Sequence, residues 1–164
     1  MKEHFTKEQA SEFIEYHPET GVFYRKKYAQ LGETEFKGAV DHKGYLRTQV
    51  AGKPVLCHRL AWLMHYGCWP NGEIDHINGD RQDNRISNLR VCTHQQNNHN
   101  QPLRKTNTSG VKGVYWNRKQ RKWRGQVCLN YKIHHTKGFD EIADAEAAVI
   151  ELRNNLHGDF ANHG

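Results

Sequence analysis

The sequence predicts an α+β fold assembled from small modules. Expected are a β-rich N-terminal module over residues 1–54, a strand–loop–strand–helix unit over 55–100, a linker at 101–107, and a three-stranded sheet covered by one helix over 108–164. Three observations predict it. Short alternating strand patterns interrupted by turn residues recur along the chain, whereas helical periodicity is confined to a few separate stretches. The composition is polar, with 36% hydrophobic residues and a mean hydropathy of -0.95, so each core must be small. The charge is also segregated: no acidic residue occurs between Asp83 and Asp140.

In the first module, Phe5, Ala10, Phe13 and Ile14 share a helical face, with Thr6 as N-cap and Glu8 just inside. His17-Pro18 and Thr20-Gly21 mark a turn. Val22–Arg25 and Gly44–Val50 read as strands, the second closed by a turn at Ala51-Gly52-Lys53-Pro54. A helix then runs from His58, with Leu60, Ala61, Leu63 and Met64 on its apolar face, and stops at Gly67. Glu73–Asp80 reads as a short strand entering a polar loop, Asn84–Leu89 as a second strand or a turn, and Thr93–Asn100 as a helix capped by Thr93. After the polar linker, strands are predicted at Gly113–Trp116, Lys122–Leu129 and Lys132–Thr136. A helix from Asp140 to His157 presents Ile142, Ala145, Val149 and Leu152 on one side, with Ala148 and Leu156. Three strands and a covering helix make a minimal two-layer domain.

The formal charge of +6 favours a polyanionic partner, nucleic acid before membrane, because no amphipathic anchor or lipidation motif accompanies it. Between the two aspartates lie Arg85, Arg90, Arg104, Lys105, Lys112, Arg118, Lys119, Arg121, Lys122, Arg124, Lys132 and Lys137. Asp140, Glu141, Asp144, Glu146 and Glu151 then follow quickly. No apolar run approaches a membrane span, and the N-terminus lacks a signal-peptide core, so a cytoplasmic protein with no membrane partner is expected. Cys57, Cys68, Cys92 and Cys128 form no CxxC pair, which reads as reduced thiols rather than a structural zinc site.

Chemistry concentrates in Glu73–Asp80, followed by Asn84, Asn88-Leu89-Arg90 and Gln96-Asn97-Asn98. Phosphodiester hydrolysis needs a base for water, an electrophile on the phosphate and stabilisation of the leaving oxygen. A hard cation on oxygen ligands supplies the last two. Asp75 offers a carboxylate and Asn97 an amide oxygen. Neighbours on a strand face opposite ways, so Asp75 and His76 serve one site only where the strand ends or bends, as Gly79 permits.

The run from His58 to Asn100 resembles the HNH nucleases of phage genomes and mobile introns, whose site is a ββα-metal finger. It carries Asp-His, an asparagine twelve positions after that histidine, and another nine beyond. The resemblance implies a double-stranded DNA endonuclease in which His76 is the general base, Asp75 and Asn97 are metal ligands, and Asn88 pins the loop between the strands. Asn97 stands where the family often has histidine, which favours Mg2+ or Mn2+ over Zn2+. Arg81, Arg85 and Arg90 are expected phosphate contacts. His58 is either in the site or a packing residue, and Asn84, Asn98, His94 and His99 are alternative ligands.

Thr108–Asn162 resembles the plant ethylene-response-factor (APETALA-type) DNA-binding domain. The likeness runs through Ser109–Trp116, Lys122–Val127, Gly138-Phe139-Asp140, Glu146-Ala147-Ala148 and His157–Asn162. It implies an antiparallel sheet set in the DNA major groove. Trp116, Arg118, Arg121, Trp123 and Arg124 are then the foremost contacts, with Lys112, Lys119 and Lys122 behind them; Trp116 is alternatively core. Tyr16–Phe23 resembles segments that precede HNH fingers, and Lys26, Lys27, Lys43 and Arg47 are either binding or structural. An inert regulator, an RNA-directed nuclease and a packaging factor remain open, although intact Asp75, His76 and Asn97 argue against inertness. The chain is expected to be a monomer or a homodimer.

Overall fold

The computed structural model describes residues 5–26, 34–36, 38–100, 103 and 106–163. Lys27, Arg104, Lys105, most of the linker and the His99 side chain lie outside the described residues. The chain divides into two compact units, 1–93 and 94–164. Both are mixtures of helices and small antiparallel sheets, so the α+β class holds.

In the first unit, Thr6 caps α1 (Lys7–Ser11) through a reciprocal capping box with Gln9. The helix is shorter than its apolar spacing suggests. Phe13 lies beyond its end, and Ile14 opens β1 (Ile14–His17). In that strand Ile14 and Tyr16 are buried and His17 is exposed, a period of two that overrides the helical pattern. β1 pairs with β2 (Val22–Arg25), and β2 with β3 (Thr34–Phe36). A second sheet comprises β4 (Ala39–Val40), β5 (Leu46–Val50) and β6 (Lys53–Leu56). The expected four-residue turn after β5 is therefore corrected. Ala51 and Gly52, both at positive φ, make the whole reversal, and Lys53 already pairs with Val50. Pro54 is tolerated there because β6 is an edge strand.

Helix α2 (Cys57–Tyr66) follows directly and ends at Gly67, whose φ of 78° is the left-handed C-cap geometry that favours glycine. It packs on α1, β1, β5 and β6. The two-stranded ribbon β7 (Glu73–His76) and β8 (Leu89–Cys92) completes the unit. Asn84–Leu89 is thus mainly loop and a 3-10 turn over Ile86–Asn88, and the second strand begins only at Leu89. One core, with Ile14, Phe23, Leu46, Val50, Cys57, Leu60, Leu63, Ile74 and Leu89 buried together, draws on residues both before and after position 54.

The second unit begins with α3 (His94–His99) and contains β9 (Val114–Asn117), β10 (Lys122–Leu129) and β11 (Lys132–Phe139), with β10 central. Helix α4 (Ile142–His157) covers the sheet, and Ala145 and Val149 are buried against Val114 and Val127. The close approach needs Gly125: a Cβ there would lie 2.7 Å from Val149 Cβ. β11 runs on to Phe139, three residues past its expected end, because Trp123 and Arg124 pair with Phe139 and Gly138 across an irregularity in register. Among the described residues no helix is long and apolar enough to cross a membrane.

Candidate active site

The ribbon β7–β8 sets the geometry. Asp75 stands opposite Arg90, and His76 opposite Leu89. Both side chains are buried at the end of the strand. Asp75 is 4% exposed, and its Oδ2 accepts from Arg90 Nε at 2.8 Å and Nη2 at 2.7 Å. A buried carboxylate is costly without a partner, and the guanidinium supplies one.

His76 is the last residue of its strand, and the chain turns away at once: Gly79 N donates to His76 O at 2.8 Å. The loop is tied down by Asn88. Its Oδ1 accepts from Asn78 N at 3.0 Å, and its Nδ2 donates to Asp83 O at 2.9 Å. Ile77 N also donates to Asn88 O. Asparagine-type turns at Asn78 and Asp80 tighten the loop further. The His76 ring is 4% exposed. It touches His58 edge-on, with centroids 5.2 Å apart, and tilts towards Tyr45 at 5.9 Å. Its Nε2 lies 3.4 Å from Asn84 Oδ1.

Electrostatics suit a base. Burial pulls the His76 pKa below that of an ordinary histidine, while the Asn84 bond and the charges of Asp75, Asp80 and Asp83 work against the fall. The ring is therefore neutral at physiological pH and holds a lone pair. His58 is driven lower, to about 3, first by burial and then by His76 and Arg59. Its buried Nδ1 meets no hydrogen-bond partner among the described residues. His58 thus lies against His76, a contact that the sequence left undecided. Tyr45 carried no local signal of its place.

The donor set bears on a metal. Among the described residues, no cluster of three or more His, Cys, Asp or Glu side chains is arranged to hold an ion. Burial pushes the thiols up, Cys57 to about 12 and Cys92 to about 11. Around the motif stand the carboxylates of Asp75, Asp80 and Asp83 and the amides of Asn78, Asn84 and Asn88. Oxygen donors of this kind fit a divalent cation that keeps waters and takes phosphate oxygens.

The remaining expected residues are placed as follows. Arg81 lies over the Tyr45 ring at 4.9 Å and donates to Lys43 O. Arg85 forks onto Asp83. In the second unit Asn97 is half-buried on α3. Trp116 is 42% exposed and stands edge-on to Trp123, which packs on the α4 core. Arg118, Lys119 and Arg121 are exposed in the β9–β10 turn, and no carboxylate engages them among the described residues. Lys122 pairs with Asp140. Arg124 donates to Thr136 O through Nε and Nη2. Lys112 is half-buried, with its Nζ on Asn162 Oδ1 at 3.2 Å.

Comparison with known proteins covers the same stretch. The family described as HNH endonuclease matches residues 55–99. Protein 3.8 of Escherichia phage T7 is 35% identical over 105 residues, 63% of this chain and 86% of that protein. No solved structure matches. HNH nucleases generally use divalent metal ions. The matched stretch contains the whole ribbon, the loop tied by Asn88 and the buried His76, and the chain belongs to the HNH endonuclease family, a nuclease that hydrolyses phosphodiester bonds in DNA.

Proposed function

We propose that the chain is a homing-like endonuclease of double-stranded DNA, working in the cytoplasm, with a cleaving finger joined to its own DNA reader. The observation that carries this reading is His76: a buried, neutral imidazole at a strand end, next in sequence to a buried carboxylate. His76 takes a proton from the attacking water. Asn88 holds the loop that follows His76, through backbone groups on both sides. A divalent cation, Mg2+ or Mn2+, would be held by Asp75 and Asn97 and would supply charge stabilisation for the phosphate and the leaving oxygen. The Asn97 assignment rests on its place in the motif. Arg81, Arg85 and Arg90 sit within or beside the loop and ribbon, where phosphate contacts are needed.

Residues 108–164 are read as the APETALA-type module that they resemble. Three strands under one amphipathic helix suit that reading, as does the cation cluster Arg118, Lys119 and Arg121 at the β9–β10 turn. Trp116 and Trp123 offer aromatic surface beside it, with Lys112, Lys122 and Arg124 contributing charge. The decisive experiment is incubation of the chain with its parent genome and Mg2+, followed by mapping of the ends. Discrete new termini that vanish with excess chelator and with Asp75→Ala or Asn97→Ala support the proposal. Cleavage that persists in excess chelator would overturn the cation assignment.

A further inference from the structure

The loop carrying Asn84 is gripped by the β1–β2 hairpin. Tyr16 projects from β1 into the core, and its hydroxyl donates to Asn84 O at 2.8 Å. Two residues further along, Ile86 N donates to Pro18 O at 3.0 Å. Gly21 then closes the grip. It sits at a φ of 72°, and a Cβ on it would lie 2.6 Å from Arg85 N and 2.8 Å from the Asn84 carbonyl carbon. Only a residue without a side chain lets the turn rest on the Asn84–Arg85 peptide.

The Asn84 side chain is fixed as firmly as its backbone. It is 3% exposed. Its Nδ2 donates to Gln82 O at 3.3 Å, which turns the amide so that Oδ1 faces His76 Nε2 at 3.4 Å. A carbonyl oxygen can only accept, so a hydrogen bond here requires the imidazole proton on Nε2 and leaves the lone pair on Nδ1. The other tautomer would put two lone pairs face to face and present water with an N–H in place of a base. In catalytic imidazoles the partner of one ring nitrogen decides what the other can do.

We infer that Asn84 is a positioning residue that selects the tautomer and orientation of His76, and that the β1–β2 hairpin holds Asn84 in place through Tyr16, Pro18 and Gly21. The N-terminal segment is then a working part of the nuclease and not a separate appendage. The inference rests on the reading of His76 as the base.

The test uses the full chain and a duplex carrying a mapped cleavage site. Asn84→Leu removes the acceptor at similar volume; Asn84→Asp keeps an acceptor oxygen for His76 but loses the Nδ2 bond to Gln82 O. The expected result is a fall in kcat of about 10–100-fold for Asn84→Leu, the usual cost of losing such an outer partner. Duplex affinity of Asn84→Leu should be unchanged, and Asn84→Asp should recover part of the rate. Nitrogen-15 shifts of the His76 ring, assigned by comparison with His76→Gln, should report Nε2–H in the wild type and loss of that preference in Asn84→Leu. Tyr16→Phe, which keeps the ring packed, should lower kcat in the same direction by less, and it carries the test if Asn84→Leu does not fold. Wild-type kcat in Asn84→Leu, an unaltered tautomer, or no recovery with Asn84→Asp would overturn the assignment of Asn84. Wild-type kcat in Tyr16→Phe would remove the hairpin from it. If His76→Ala cleaves as well as the wild type, the base assignment fails instead.

Discussion

At the scale of single residues, burial decides what each ionisable group can do. His76 is neutral because it is enclosed, yet nearby carboxylates and Asn84 limit the fall in its basicity. His76→Ala should therefore lower single-turnover cleavage by about 10²–10⁴-fold, the usual contribution of a general base, while binding isotherms on the same duplex stay unchanged. Lys112 offers a check on burial in the second unit. Its pKa drops from 10.5 to about 8, first through burial and then through Arg153. Its folded value lies below its unfolded value, so between about pH 8 and 10.5 the unfolded chain binds more protons and stability rises with pH. Lys112→Met should abolish that rise and leave the variant more stable at pH 7. Denaturant melts of both proteins across the window would show it, and equal slopes would refute it.

Elements show where packing is tight. The sheet β9–β11 meets α4 through Gly125, where a Cβ would press on Val149 and Thr136. Gly125→Ala should destabilise the second unit by about 1–3 kcal/mol, the ordinary cost of overpacking, measured as a shift in its unfolding midpoint. Thiols give a complementary reading. Cys57 and Cys92 are buried with raised pKa values, whereas Cys68 and Cys128 are exposed. A thiol reagent at pH 8 should label two cysteines quickly in the native chain and all four only in denaturant. Rapid labelling of Cys57 would mean that α2 does not pack as described.

For the whole molecule, the proposed division between cleavage and binding rests on charge. Within 84–139 the chain has no acid, yet several of its cations already have partners: Arg90 on Asp75, Lys122 on Asp140, Arg124 on a carbonyl. Arg118, Lys119 and Arg121, in one turn, have no carboxylate partner among the described residues. Replacing all three with alanine should weaken duplex binding and flatten its salt dependence, since each neutralised phosphate contributes a slope of about −0.9 in log K against log salt. Metal dependence of cleavage should not change. An unchanged slope in a salt series of binding isotherms would show that this turn does not meet DNA.

Much of this was readable in the sequence, because its signals are local. Thr6, Gly67 and the alternation of Lys122–Leu129 each act within one or two turns of chain, and the caps and strands lie where those residues put them. The spacing of Asp75, His76, Asn88 and Asn97 likewise located the stretch that matches the HNH endonuclease family. Tertiary structure alone decided the rest. Ile14 satisfies a helical face and a strand face equally well, and only pairing with Arg25 on β2 selected the strand. Nothing near Tyr16 announces that its hydroxyl meets a carbonyl 68 residues away, nor does His58 disclose that it lies against His76. Contacts between distant segments depend on which faces the core must bury together, and that is set by the whole fold, not by any stretch of it.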